Sequence, residues 1–490
     1  MGIELPTAFA RTPGFGASFE GRHQNLVGRF CANDKPLLGP SLLHQRTLSV
    51  LRRLGVYLPM EWILQALGET CKTTIRRRRL PADIVVWIVI CVSIFRSRSI
   101  SGVVEALDLA LPGGKNRFVS KSAIAQARQR VGVDPFRELF RQSARSWAAN
   151  QSPDQDWKGL TLWVVDGTTL KTPDTPEMLE EFGAQSFASG KRSSNPQLRA
   201  VTLTSLPTRI LVDAAFGRYN INEMRYVADL IPRIPGNSLT IFDKGFISAS
   251  ILLGLSTVGE SRHFLIPARI DSRHVVISGT EKDALVEMTV SREARLKSPD
   301  LPKKWIARAI RTYDLDGNPR VLLTSLLDEC KYPSQEICSL YTQRWEVETS
   351  YLEVKVRLFL NSLTLRSLTP EGIRQEVWGA FIGYNLLRLL MVESAALRGV
   401  SPKRLSFKKA LELLQDELVI EAAAPGTTEI LCGLIYHRRV QLSKELLPER
   451  KGRRFPRVIK SRPSKYDVRY SYIDSKESNQ NRGSKTTRKK

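Results

Sequence analysis

At 490 residues the chain is long enough for about three domains of ordinary size, and its 42% hydrophobic content supplies a sizeable core. Lys and Arg number 74 against 49 Asp and Glu, and the resulting net charge of +25 favours a polyanionic partner, nucleic acid or an anionic membrane surface. No run reaches the roughly eighteen apolar residues of a membrane span, Met1-Gly2-Ile3-Glu4 lacks a signal-peptide profile, and the six cysteines, at 31, 71, 91, 330, 338 and 432, form no CxxC pair. Membrane-spanning proteins, disulfide scaffolds and zinc modules are thereby set aside, and a soluble cytoplasmic protein with buried, reduced thiols is expected.

Residues 1–40 carry no sustained apolar period and read as a poorly ordered extension. Residues 41–150 read as a helical domain, with helical apolar spacing over Leu58–Leu67, Ile84–Phe95, Val103–Leu111 and Ser122–Val131. From 71 to 130 there are twelve Lys/Arg and three Asp/Glu. Arg76, Arg77, Arg78 and Arg79, with Lys121 and Arg128 farther on, make this a candidate DNA-binding domain of helix-turn-helix type. The plainer reading is a helical domain whose charges only coat its outside.

From residue 155 to 260 the pattern changes. Leu160–Asp166 is a nearly continuous apolar run, as expected of a strand covered on both faces. Leu198–Thr204 and Ile210–Ala215 form a hairpin around Ser205-Leu206-Pro207-Thr208, Asn222–Ile231 reads as a helix closed by Pro232, and Leu239–Asp243 is a further strand. Strand, hairpin pair, helix, strand is the order of a ribonuclease-H-like α/β layer. In that order the first and fourth strands are neighbours, so their terminal Asp166 and Asp243 should meet. Residues 261–330 carry strand patterns at His263–Ile266, His274–Ser278, Ala284–Val290, Trp305–Arg311 and Arg320–Leu326, which read as a β-rich insertion. The core resumes in helices over 331–400, followed by a helical C-terminal region at 401–450. The tail 451–490 holds fourteen Lys/Arg against three acidic residues and is expected to be disordered in isolation, with a role on DNA.

One helix is expected to carry Tyr341, Arg344, Glu348 and Lys355. At 100° per residue, and with Tyr341 at zero, Glu348, Lys355 and Arg344 fall at about −20°, −40° and −60°, a single stripe. Trp345, Leu352 and Val356 fall on a flanking apolar edge that can pack on the sheet. The helix would then deliver Glu348 to the two aspartates, and three carboxylates in one site repel unless cations neutralise them. Divalent ions there would polarise a scissile phosphate and activate water. Taken singly, the helix reads as an ordinary surface helix with an Arg344–Glu348 pair and each aspartate as a strand-end cap. Their combination and order favour the metal site.

The same residues resemble a known family. Asp166-Gly167-Thr168-Thr169-Leu170-Lys171-Thr172-Pro173-Asp174 looks like the first-aspartate motif of bacterial insertion-sequence transposases of the DDE type, in the IS-four family. Ile241-Phe242-Asp243-Lys244-Gly245-Phe246 is similar to the second-aspartate motif, and Tyr341-x2-Arg344-x3-Glu348-x6-Lys355 reproduces the YREK signature. Thr364-Leu365-Arg366-Ser367 and the stretch from Glu376 to Leu386 resemble its helical C-terminal part, and Arg76–Pro81 and Ser122–Arg130 look like its N-terminal domain, so the resemblance spans roughly 45 to 460. Leu368, where a basic residue is common, and Ile247 depart from the pattern; neither is one of the three carboxylates.

The resemblance implies a ribonuclease-H-like core interrupted by a β-strand insertion, an N-terminal helical DNA-binding domain and a basic, helical C-terminal region. It implies that Asp166, Asp243 and Glu348 ligate two Mg²⁺ or Mn²⁺ ions and that Tyr341, Arg344, Lys355 and Arg366 hold DNA. Trp305 is the candidate for a base-holding tryptophan of the insertion. The implied activity is cut-and-paste transposition through a hairpin intermediate, on double-stranded DNA, by a homodimer in the paired-end complex, in a bacterial cytoplasm at the nucleoid. Two competing readings are a catalytically silent DNA-binding derivative and a nuclease that cuts without joining.

Overall fold

The structure, a computed structural model, describes residues 54–73, 80–107, 109, 119–149, 156–186, 192–257, 260–268, 274–313, 317–354, 364–423, 428–448 and 468–469. For 149, 345–348, 421, 423, 428–432 and 468–469 only the backbone is described. The 1–40 extension, Arg76, Arg77, Arg78, Arg79, Lys355 and the tail except Val468 and Arg469 therefore lie outside the described residues.

Among the described residues the first five helices are α1 (Met60–Glu69), α2 (Ala82–Ile94), α3 (Ile100–Ala106), α4 (Lys121–Val131) and α5 (Asp134–Ala149). The central part runs β1 (Thr161–Lys171), α6 (Pro176–Phe182), β2 (Arg192–Ser193), β3 (Gln197–Ser205), β4 (Leu211–Arg218), α7 (Glu223–Leu230), β5 (Ser238–Phe242), α8 (Ala249–Thr257) and β6 (Arg262–Pro267). Next are β7 (His274–Gly279), β8 (Asp283–Thr289), α9 (Arg292–Lys297), β9 (Lys304–Tyr313) and β10 (Pro319–Thr324). The chain continues with α10 (Ser334–Thr342), α11 (Trp345–Leu352), α12 (Pro370–Ala396), α13 (Phe407–Ala423), α14 (Thr428–Lys444) and β11 (Val468–Arg469), which pairs with β2.

One nine-stranded sheet has the order β4-β3-β1-β5-β6-β10-β9-β8-β7. The first and fourth expected strands are indeed neighbours, since β1 and β5 pair in parallel with Val165 opposite Phe242. Both faces of β1 are covered: Trp163 and Val165 pack with α7 and α8, while Val164 packs with Leu340 and Tyr341 of α10. That two-sided burial is why the strand reads as an unbroken apolar run. The segment Arg262–Pro267, read from sequence with the insertion, instead pairs in parallel with β5 and extends the core sheet. Strands β7 to β9, read with the same insertion, continue the sheet through β10.

The N-terminal helices do not stand apart. Apart from Asp83, α2 is wholly buried, and it lies along α12 in a single apolar core that joins residues 54–147 to 365–442. Two glycines one turn apart set that closeness: a Cβ on Gly379 would lie 2.7 Å from a methyl of Val89, and one on Gly383 would lie 2.5 Å from the Ser93 hydroxyl. No described helix is long and apolar enough to cross a membrane. Of the thiols, Cys91 is buried and its pKa is pushed up to about 12 by that burial, but Cys71 and Cys330, expected inside, are exposed in loops.

Candidate active site

Parallel pairing of β1 with β5 ends at Val165 and Phe242, so Asp166 and Asp243 are the next residue on each chain. Adjacent strands are about 4.8 Å apart and alternate residues share a face. The two carboxylates thus leave the sheet side by side, on the face covered by α10 and α11. Between them stands Arg344, whose Nη1 is 3.9 Å from Asp166 Oδ2 and 3.8 Å from Asp243 Oδ1. Asp166 is 18% exposed and Asp243 is 44% exposed, so the site is open on the Asp243 side.

Asp166 is fixed at two further points. Its Oδ1 accepts the Gly167 N–H at 2.8 Å, and its backbone carbonyl accepts the Tyr351 hydroxyl at 2.6 Å. Gly167 has no room for a side chain, because a Cβ there would meet the Glu223 carboxylate at 2.7–2.9 Å. Glu223, in the first turn of α7, lies 3.7 Å from Arg199 Nε and is a further acidic group beside β1. Sequence reasoning missed it; its one signal is the cap, where Asn222 Oδ1 accepts the Met224 N–H at 3.0 Å.

The expected single helix over Tyr341–Lys355 is two. The Gln343 N–H bonds to Leu340 O and the Arg344 N–H to Tyr341 O, both at 3.0 Å and both three residues back. That tight turn winds the chain faster than an α-helix and shifts its phase, so the stripe drawn at 100° per residue does not carry across it. Arg344 is delivered to the aspartates by the turn itself, as the residue before α11. Tyr341 is buried at the end of α10, with the Arg320 guanidinium 5.4 Å over its ring. Burial raises its pKa, with Arg344 working against that rise, Asp243 adding to it and Arg320 again opposing it. Glu348 belongs to the backbone of α11, but its side chain, like all of Lys355, lies outside the described residues.

Just beyond α11, Glu353 is buried and accepts from Arg209 Nη1 at 2.8 Å, from the Tyr384 hydroxyl at 3.0 Å and from Arg388 Nη1 at 3.4 Å. Arg209 holds a left-handed φ of 61° in the β3–β4 turn, where Arg388 Nε also donates to Thr208 O at 2.9 Å. Asn385 completes the dock of α12 on β4, exchanging hydrogen bonds with the backbone of Leu211 at 2.9 and 2.8 Å.

The other sequence candidates fall into distinct settings. Lys121 is exposed at the first position of α4. Arg128 is committed internally, donating to Gln375 Oε1, Ser367 Oγ and Gly372 O at 3.0, 3.0 and 2.9 Å. Arg366 donates to Arg98 O at 2.7 Å, and its N–H, like that of Ser367, is held by the Glu376 carboxylate. Trp305 is half-buried on β9 with its ring 5.7 Å from Phe264, far along the sheet from β1.

Residues 157–386 match the transposase DDE domain, and residues 48–141 match the insertion element 4 transposase N-terminal family. Over 420 residues, 85% of this chain and 93% of the relative, the sequence is 38% identical to "Transposase InsG for insertion sequence element IS4" of Escherichia coli (strain K12). The chain belongs to the IS4 family of DDE transposases. As such it is an enzyme of DNA strand cleavage and transfer. The transposase is also 39% identical over 214 residues to "Putative transposase InsZ" of the same organism, covering 43% of this chain and 70% of that one. Among solved structures, a piggyBac transposase synaptic complex with hairpin DNA covers 85% of this chain and 89% of that chain, at 12% identity and a TM-score of 0.40.

A DDE domain implies a divalent metal. The described residues are compatible with one. Asp166 and Asp243 offer hard oxygen donors, and the Arg344 guanidinium already stands between them as a positive group. Among the described residues no set of three acidic, His or Cys side chains is gathered for a metal, the Glu348 side chain being outside them.

Proposed function

We propose that this transposase binds the ends of its own insertion sequence and moves it by cut-and-paste transposition, with Asp166, Asp243 and Glu348 as the carboxylates of a ribonuclease-H-like site. The observation that carries the reading is the convergence of Asp166 and Asp243 on Arg344 at the ends of adjacent parallel strands. The three carboxylates would hold two Mg²⁺ or Mn²⁺ ions, which when bound supply Lewis acidity and a water of lowered pKa.

The chain's own groups do the remaining work. Asp166, held through its carbonyl and one carboxylate oxygen, offers the other oxygen to the site at little reorganisation cost. Arg344, 3.8–3.9 Å from both aspartates, would grip a phosphate that approaches them. Lys355 would add a second phosphate contact, and Lys121 with the basic run at Arg76–Arg79 would hold the flanking duplex.

Water attacks the phosphodiester at the element's end, and the departing 3′ oxygen takes up a proton. The 3′-hydroxyl, giving up its proton, then attacks a phosphodiester of the opposite strand, closing a hairpin and expelling the flanking DNA as a 3′-hydroxyl. A second water cleaves the hairpin phosphodiester to return the 3′-hydroxyl and leave a 5′-phosphate, and that 3′-hydroxyl attacks a target phosphodiester whose 3′ oxygen departs with a proton. Two ends joined together call for a homodimer in the paired complex.

The test is purified protein with DNA carrying the element's own terminal repeats, Mg²⁺ and a supercoiled target. Hairpin ends followed by joined products are expected. Cut ends that are never joined would reduce the protein to a nuclease, and bound but uncut DNA to a silent binder.

A further inference from the structure

The Tyr351 hydroxyl sits where three elements meet. It donates to the carbonyl of Asp166 on β1 at 2.6 Å and lies 2.9 Å from Thr202 Oγ1 on β3, the residue directly opposite Asp166 in the ladder. Tyrosine has one hydroxyl proton, and the Asp166 carbonyl can only accept, so Thr202 is the donor in the second bond. The result is a relay from Thr202 to Tyr351 to the Asp166 peptide. Tyr351 is buried, so the relay is closed to bulk water.

Tyr351 lies on α11, three residues after Glu348. Two residues farther on, Glu353 is clamped by Arg209, Arg388 and Tyr384. The clamp fixes one end of α11, and Tyr351 fixes its distance from β1. Glu348 is five residues from the clamp, roughly 7.5 Å along the helix at 1.5 Å per residue. Loss of the tyrosine hydrogen bond would loosen the seating of α11 on β1 while the clamp stays, and a tilt about the clamp moves Glu348 more than anything nearer the fixed end.

We infer that Tyr351 is a positioning residue of the cleavage site, setting the approach of the Glu348 helix to Asp166 through the Asp166 peptide rather than touching DNA. This rests on the reading of Asp166 and Glu348 as partners in one metal site. Groups that orient ligating side chains typically change metal affinity or activity by about 10–100-fold when removed.

The test uses the full-length protein bound to end DNA and compares Tyr351→Phe, Thr202→Val and Asp166→Asn. Mn²⁺ affinity is read by titration with electron paramagnetic resonance, independently of cleavage. End-DNA affinity without metal and the thermal midpoint are measured alongside. Tyr351→Phe should weaken Mn²⁺ binding about tenfold and slow cleavage by a comparable or larger factor, with end-DNA affinity within about twofold of the parent. Thr202→Val should move Mn²⁺ affinity in the same direction by less, and it carries the test if Tyr351→Phe fails to fold. Parental Mn²⁺ affinity in both variants would overturn the inference. So would a Tyr351→Phe protein that loses thermal stability and end binding with no change in the Mn²⁺ affinity of its folded fraction. If Asp166→Asn still cleaves, the site reading itself is wrong, whatever the tyrosine does.

Discussion

Arg344 shows how the sequence can single out a residue and still misjudge the way its backbone is delivered. Its spacing from Tyr341 and Glu348 was legible in the sequence, but the tight turn at Gln343–Arg344 was not. Neither Gly nor Pro marks that turn, and a break made only by hydrogen bonds three residues back leaves no compositional trace. The two aspartates were legible because a strand buried on both faces has few reasons to end in a charge. Glu348→Gln keeps the shape of the side chain and removes its negative charge. Binding to end DNA should persist while cleavage falls by at least about a hundredfold, a loss in line with removing a group that acts in the transition state. Gel-shift and strand-cleavage assays on one preparation check this, and unchanged cleavage would remove Glu348 from the site. Lys121 and Arg128 looked alike in the sequence as DNA-facing cations, yet one is exposed and the other bridges α4 to α12. Lys121→Ala should weaken DNA binding and lower its salt dependence with stability unchanged. Arg128→Ala should instead lower stability by about 1–3 kcal/mol through the acceptors it abandons, as read by urea unfolding.

Among the elements, strands were more readable than helices. The hairpin β3–β4 and the strands from β7 to β10 came out near their observed bounds because short runs rich in apolar and β-branched residues are bounded there by turn residues. Helix α5 did not, since its Arg-rich face masks the apolar stripe that packs against α12 and β4. What ties elements together was hidden altogether. Glu353 and its three partners are spread from residue 209 to 388, and no local pattern announces a buried carboxylate among two arginines and a tyrosine. Glu353→Gln should cost about 3–5 kcal/mol because it leaves two buried guanidinium groups without their counter-charge; chemical denaturation measures the loss.

A second buried carboxylate, Glu376, gives a pH dependence. Burial pushes its pKa up, but the Arg96 charge, together with N–H groups of Arg366 and Ser367, outweighs that push and leaves it below the ordinary value. A folded-state pKa below the unfolded one stabilises the protein above the usual carboxylate range, and that contribution is lost as pH falls through the folded value. The stability gap between parent and Glu376→Gln should therefore be widest near neutral pH and shrink on acidification. A gap that stays constant with pH would contradict the assignment.

At the scale of the molecule, the sequence supports separate N-terminal and catalytic domains, and the structure describes one core running through both. The contacts that fuse them, such as Ser93 with the carbonyl of Gly379, join residues 286 positions apart, a distance at which no periodicity can be read. Gly383→Val would drive two methyl groups into the α2–α12 seam and should cost at least about 1–3 kcal/mol. Because the seam belongs to the shared core, calorimetry should show the whole transition moving down together. A separate early melt of the N-terminal helices would show that they fold on their own.

On the proposal that the N-terminal helices grip DNA, the glycine seam also bears on how such a protein can acquire a new target. A tethered reading head can be exchanged for another, because only a linker has to tolerate the graft. Here the N-terminal helices supply one wall of the interior that supports β4 and α12, so a transplant from a distant relative would arrive with the wrong bumps and hollows. Altered preference is more readily reached by repainting outward-facing side chains, with the backbone left in place, than by trading modules.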